Sequence, residues 1–164
     1  MGQKSVEILK QTGINIKELV EKLQKAYADE CLSYIQYWEG ARFPVGLARV
    51  KLVSEMQEHA EEELKHANWL AKRIIDFGVM PIVGPQEWLK KSNCGYQEPM
   101  DSDIMTLLEQ NISSERCAIE VYKQLADFTH GKDDITYKLA IKILEEEVEH
   151  EQDLEDIRND IERG

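Results

Sequence analysis

Apolar residues recur every three or four positions along four long stretches of the chain, which is the period of an amphipathic helix. The first stretch, Ile16 to Phe43, sets Leu19, Leu23, Tyr27, Tyr34, Tyr37 and Ala41 on one face, with Asn15 placed as an N-cap. The second, Leu47 to Phe77, carries Leu52, Met56, Leu70 and Ile74, and Gly78 closes it. The third, Ser102 to Phe128, carries Ile104, Leu108, Ile112, Ile119, Tyr122 and Leu125, with Asp101 or Ser102 as its cap. The fourth, Ile135 to Ile161, carries Ala140, Leu144, Leu154 and Ile157. Residues 1–14 form a tail with one helical turn at Val6 to Leu9, and residues 15–164 form a single helical domain.

The links between the stretches predict the topology. Pro44 and Gly46 turn the chain tightly after the first, and Thr129 to Asp134 do so after the third. Each of these pairs is therefore antiparallel. The connection from the second to the third, Val79 to Asp101, holds Pro81, Gly84, Pro85, Gly95 and Pro99, with a short helical turn at Gln86 to Lys91. A connection of that length bridges distant ends of a bundle. The predicted fold is an all-α antiparallel four-helix bundle with one long crossover between helices two and three.

Polar residues interrupt the apolar stripes at one height. Glu30 and Glu115 sit alone near the middle of helices one and three, while helices two and four carry Glu63-x-x-His66 and Glu147-x-x-His150. Residues three apart share a helix face, so each Glu-x-x-His presents a carboxylate and an imidazole together. The Glu30–Glu63 and Glu115–Glu147 separations differ by one residue, so the two halves read as copies related by a pseudo-twofold axis. Four carboxylates in an apolar core do not stay ionised and unpaired. They form either a protonated Glu–His layer or a site for two divalent ions. Carboxylate and imidazole donors suit iron, manganese or zinc, and bridging carboxylates hold two metals about 3.5–4 Å apart. His59 lies on the Glu63 face one turn earlier, as a core imidazole or a further ligand, and His130 falls in an exposed turn.

The net charge of −12 disfavours direct DNA binding and favours cations. No apolar run is long enough to span a membrane, and Met1 to Gln11 lacks a signal-peptide core, so the expected location is cytoplasmic. Three cysteines do not make a fully paired secreted framework. Cys31 reads as a helix-packing thiol. Cys117 falls two residues past Glu115, about 200° around its helix and away from the carboxylate.

The run from Glu30 to Tyr37 (Glu-Cys-Leu-Ser-Tyr-Ile-Gln-Tyr), the Glu63-x-x-His66-Ala67 block and the run Ile143 to His150 resemble bacterioferritins and their relatives over Ala26 to Ile157. The resemblance implies that Glu30, Glu63, His66, Glu115, Glu147 and His150 are ferroxidase ligands for two iron ions per subunit. Tyr37 would be either the tyrosine beside that site or an ordinary core aromatic. Leu64 stands where bacterioferritins place the haem-ligating Met, so no haem is expected. The chain stops fourteen residues after His150, too soon for a fifth helix. That trait belongs to the twelve-subunit cages of the DNA-binding proteins from starved cells (Dps).

Dps-like thioferritins combine both traits with a cysteine pair near the site, and Cys94 and Cys117 resemble that pair. Alternatively they are isolated thiols. The implied function is oxidation of Fe(II) with hydrogen peroxide or dioxygen, and storage of Fe(III) mineral in a homo-oligomeric cage. Glu55, Glu58, Glu61 and Glu62 would then line a mineral-nucleating surface or simply form a solvated face. The alternative is a non-cage dimetal oxidase or peroxidase of rubrerythrin-like or manganese catalase-like type. The chain carries no Cys-x-x-Cys module of a complete rubrerythrin.

Overall fold

The computed structural model describes residues 2–163. Among these residues six helices follow in order: α1 (Gln3–Gln11), α2 (Ile16–Gly40), α3 (Arg49–Asp76), α4 (Pro85–Lys91), α5 (Ile104–Thr129) and α6 (Asp134–Arg163). Among the described residues there is no strand, and an isolated parallel bridge ties Val45 to Asp103. Met1 and Gly164, which end the predicted tail and bundle domain, lie outside the described residues. Helix α2 packs along α3, and α5 along α6, while α2·α5 and α3·α6 contacts close the bundle. The all-α bundle with its crossover between the second and third long helices is the predicted architecture.

The ends differ from the sequence reading in instructive ways. The segment read as a tail with a single turn is a nine-residue helix, α1, whose Leu9 is buried with Ile14 against the end of the bundle. Helix α2 stops at Gly40 rather than Phe43, since Pro44 disfavours helical backbone at the residue before it. Helix α5 starts two residues later than read. Its cap is Asp103, whose side chain accepts from Thr106 N–H at 2.9 Å, while Asp101 accepts from Asp103 N–H at 2.9 Å. Asn15 caps α2 as expected, accepting from Glu18 N–H at 3.1 Å. Gly78 adopts φ 76°, and the amides of Gly78 and Val79 bond back to the carbonyls of Ile75 and Ile74 at 2.8 and 3.4 Å. That pairing ends α3 in a Schellman turn, which needs a left-handed residue there.

The core divides into two apolar blocks. One gathers Leu19, Leu23, Leu70, Ile74, Leu125 and Ile143 near α1. The other gathers Leu52, Met56, Leu107, Leu108, Ile112 and Leu154 toward the opposite end. The charged layer of Glu30, Glu63, Glu115 and Glu147 lies at the middle of helices of 25, 28, 26 and 30 residues, where it separates the two blocks.

The crossover is held along α2 by side chains that offer its backbone partners. Gln24 accepts from Ile82 N–H and donates to the Met80 carbonyl, both at 2.8 Å. Asp29 accepts from the backbone amides of Asn93 and Cys94 at 2.7 and 2.9 Å. Gln36 accepts from Gln97 N–H at 3.0 Å and donates to Asn111 on α5 at 3.0 Å. A loop without a sheet or helix must satisfy its amides some other way, and these three side chains do so. At the α5–α6 turn, Nη2 of Arg73 donates to both carboxylate oxygens of Asp133 at 2.8 and 3.0 Å, and its Nε donates to Thr136 at 2.8 Å. All three residues are buried.

Candidate metal centre

Helix periodicity aims one face of each long helix at the bundle axis, and the polar residues on those faces meet there. Glu30, Glu63, His66, Glu115, Glu147 and His150 are each no more than 2% exposed. Nδ1 of His66 lies 3.1, 3.2 and 3.4 Å from oxygens of Glu147, Glu63 and Glu30. Nδ1 of His150 lies 3.5, 3.5 and 3.9 Å from oxygens of Glu63, Glu147 and Glu115. The layer thus resolves into two sets of four donors, Glu30/Glu63/His66/Glu147 and Glu63/Glu115/Glu147/His150, each with its donor atoms within 4.8 Å of one another. Glu63 and Glu147 belong to both sets. They stand where carboxylates shared between two ions would stand.

The outer nitrogens are held in matching fashion. His66 Nε2 is 2.8 Å from Glu146, and His150 Nε2 is 2.8 Å from Glu62. A carboxylate at Nε2 orients the ring and leaves Nδ1 facing inward, the arrangement that supports metal-binding histidines. The terminal carboxylates are held as a pair as well. The Tyr37 hydroxyl donates to Glu115, and the Tyr122 hydroxyl donates to Glu30. Burial and the neighbouring carboxylate charges push both phenols well above their ordinary range, so they remain protonated donors.

The electrostatics are those of a site short of positive charge. Burial first, and then the charges of Glu63 and Glu147, push Glu30 well above the usual carboxylate range; the same carboxylates do so for Glu115. Burial opposes charge on Glu63 too, but the imidazoles of His150 and His66 beside it outweigh that and hold Glu63 low. Burial likewise works against a charged His150, yet Glu147 and Glu63 beside it hold the ring up at about 12, and His66 is raised by Glu147, Glu30 and Glu63. Protons are thus drawn into the layer to balance its carboxylates. Glu30 Oε2, both oxygens of Glu147 and His150 Nδ1 are buried without a hydrogen-bond partner. An unpaired buried polar atom costs about 1–3 kcal/mol. The donor set fits two divalent ions, which would occupy those lone pairs and displace the protons.

Sequence reasoning named six of these side chains and Tyr37 but passed over three. Tyr122 stands to Glu115 as Tyr37 stands to Glu30, seven residues on, so the internal repeat already pointed to it. Glu62 and Glu146 each directly precede a shared carboxylate, which is again a repeat signal. Of the acidic cluster on α3, Glu62 serves His150 and Glu55 approaches His59, while Glu58 and Glu61 are exposed. His59 is buried, its ring stacked on His150 at 4.0 Å and edge-on to Tyr37 at 5.2 Å. Burial and the neighbouring His150 push it down to about 3. His130 is exposed and rests on the Tyr137 ring. Cys94 and Cys117 are joined as a disulfide, with Cα atoms 5.7 Å apart, and Cys31 is a buried free thiol. Leu64 points away from the layer and is 46% exposed.

Comparison with known proteins gives the family and the fold. The model of the ferritin-like domain matches residues 20–164. The DNA protection during starvation protein of Pyrococcus furiosus is 30% identical over 158 residues, 96% of this chain and 85% of that protein. The bacterioferritin-related protein of Bacteroides fragilis, described as a dodecameric thioferritin, superposes with a TM-score of 0.95 at 44% identity, over 99% of this chain and 96% of that one. The Dps protein of Vibrio cholerae O1, described as a ferritin-like diiron-carboxylate protein, shares the fold alone: TM-score 0.80, 14% identity, 90% and 91% coverage. The chain belongs to the ferritin-like family, with Dps-like and thioferritin proteins among its relatives.

Proposed function

We propose that the protein is a ferroxidase that binds two Fe(II) ions in the buried layer, oxidises them with hydrogen peroxide or dioxygen, and stores the product as Fe(III) mineral inside a homo-oligomeric cage. The observation that carries this is the pair of four-donor sets sharing Glu63 and Glu147. Glu30 and His66 complete one position and Glu115 and His150 the other. Ferrous ions held there supply one electron each, and two electrons with two protons reduce one hydrogen peroxide to two waters. The chain's own part is to hold the carboxylates, through Tyr37 and Tyr122, and the imidazoles, through Glu62 and Glu146, before any ion arrives. The two apolar blocks on either side keep bulk water from the layer.

A dodecameric shell is proposed from the likeness to the Bacteroides protein described as one. The Pyrococcus relative is named for DNA protection. With a net charge of −12, protection by this chain would come from removing iron and oxidant rather than from coating DNA. The experiment combines native mass with Fe(II) oxidation followed at two Fe(II) per subunit. A mass of twelve subunits, rapid oxidation and an iron-filled particle are expected. A stable dimer that consumes peroxide without retaining iron would instead favour the non-cage dimetal peroxidase.

The cysteines are proposed as a redox pair serving this centre. Asp29, next to Glu30, holds the Cys94 amide, and Cys117 follows Glu115 by two residues. Peroxide would oxidise one thiol to a sulfenic acid, releasing water, and the second thiol would displace a second water to close the disulfide. Mass spectrometry of reduced protein after peroxide treatment tests this. A Cys94–Cys117 link is expected, and a link through Cys31 would refute it.

A further inference from the structure

His59 is an anomaly beside the layer. Its side chain is 2% exposed, yet neither ring nitrogen has a hydrogen-bond partner. Its orientation is fixed by stacking on His150 and by the Tyr37 edge. Nε2 points between two carboxylates, Glu55 Oε1 at 3.5 Å and Asp153 Oδ2 at 3.9 Å, both too far for a good hydrogen bond. Glu55 lies one turn before His59 on α3, and Asp153 lies three residues past His150 on α6, so two helices converge on the ring. The three donor atoms fall within 4.8 Å of one another. Side-chain exposure falls from 51% at Asp153 through 23% at Glu55 to 2% at His59, so the group opens at the surface and ends against a ring of the buried layer. The pseudo-twofold axis does not reproduce it: the α6 position matching His59 is Ile143, an apolar core residue.

We propose that Glu55, His59 and Asp153 form a third divalent-cation site, of the one-nitrogen, two-carboxylate type that takes first-row transition ions, and that it loads the buried pair. A cation there would satisfy the imidazole lone pair and both carboxylates at once. It would sit one ring stack away from His150, on the solvent side of the layer. The site uses none of the six ligands of the proposed ferroxidase, so it does not depend on the chemistry proposed for them.

The test uses the assembled protein and Zn(II), which binds without oxidation. Crystals soaked in Zn(II) should show anomalous density between Glu55, His59 and Asp153 as well as at the two buried positions. In solution, the Glu55→Gln/Asp153→Asn variant should lose the third Zn(II), its affinity falling at least about tenfold, the lower bound already seen for outer-shell changes. The variant should still bind two ions, but fill them more slowly. Density at the buried pair with none at the third group overturns the proposal. So does an ion bonded jointly to His59, Glu115 and His150, which would make His59 part of the pair. Equal filling rates and equal stoichiometry in variant and native protein overturn it as well. An empty buried pair beside a filled third site would count against the ferroxidase reading alone.

Discussion

Two groups of buried charged side chains in this bundle differ in one respect. Near the α5–α6 turn, Arg73, Asp133 and Thr136 satisfy one another: the Arg73 cation meets the buried Asp133 anion, with the half-exposed Asp76 at 3.5 Å from its Nη1, and none of their polar atoms lacks a partner. At mid-height, four carboxylates face two imidazoles, and several lone pairs meet nothing. Burial is nearly the same in both. A buried charge is therefore not in itself a sign of function. The self-satisfied group fastens the turn to α3, while the group left short of cations calls for ions from outside the chain.

The comparison breaks if the same substitution logic fails in the two places. Glu63→Ala or His150→Ala should abolish rapid Fe(II) oxidation and two-ion binding while the apo protein stays helical. Apo stability should change little in Glu63→Ala, which removes one buried carboxylate of the crowded layer, and should fall in His150→Ala, whose ring balances Glu63 and Glu147. Stopped-flow oxidation and circular dichroism check this, and native oxidation rates in either variant would refute the ligand assignment. Arg73→Ala should act in the opposite way. It strands Asp133 in the core and should cost about 3–5 kcal/mol of stability, as removal of one partner of a buried pair does. Two Zn(II) ions should still bind per folded subunit. Denaturant unfolding with parallel zinc titration reads both quantities, and a drop in metal stoichiometry would show that the two clusters are coupled.

The same contrast explains what could be read from the chain. The four long helices and the mid-height convergence were legible because periodicity carries them, over stretches of 25 to 30 residues. Glu30, Glu63, His66, Glu115, Glu147 and His150 stood out because a charge inside an apolar stripe is conspicuous. Tyr122 was hidden for the converse reason: an aromatic in such a stripe fits the core pattern and raises no flag. Glu62 and Glu146 lay off the stripe, and only the folded structure shows that each reaches across to the histidine of the facing helix. Asp29 and Gln36 were likewise silent, since their partners are backbone amides of an irregular crossover. Helix α1 was underestimated because its stability comes from docking Leu9 onto a distant surface rather than from its own short sequence.

The finest division lies within the proposed metal centre, between its two halves. Tyr37 and Tyr122 are related by the pseudo-twofold axis, and each donates one hydrogen bond to a terminal carboxylate. Removing either hydroxyl loosens one proposed ligand without deleting it. A net loss of about 0.5–1.5 kcal/mol is expected, a few-fold to about tenfold in Zn(II) affinity. Tyr37→Phe and Tyr122→Phe should therefore weaken zinc binding by similar factors. Their surroundings are not alike, however. The Tyr37 ring meets the edge of His59, which stacks on His150, whereas the symmetry-related place on the Tyr122 side holds Ile143. If Tyr37 takes part in the redox step as well as in positioning, Fe(II) oxidation by peroxide should slow more in Tyr37→Phe than in Tyr122→Phe at saturating iron. We expect that split. Equal slowing, in proportion to the equal loss of zinc affinity, would reduce Tyr37 to a positioning residue and make the two halves of the centre equivalent in chemistry as well as in geometry.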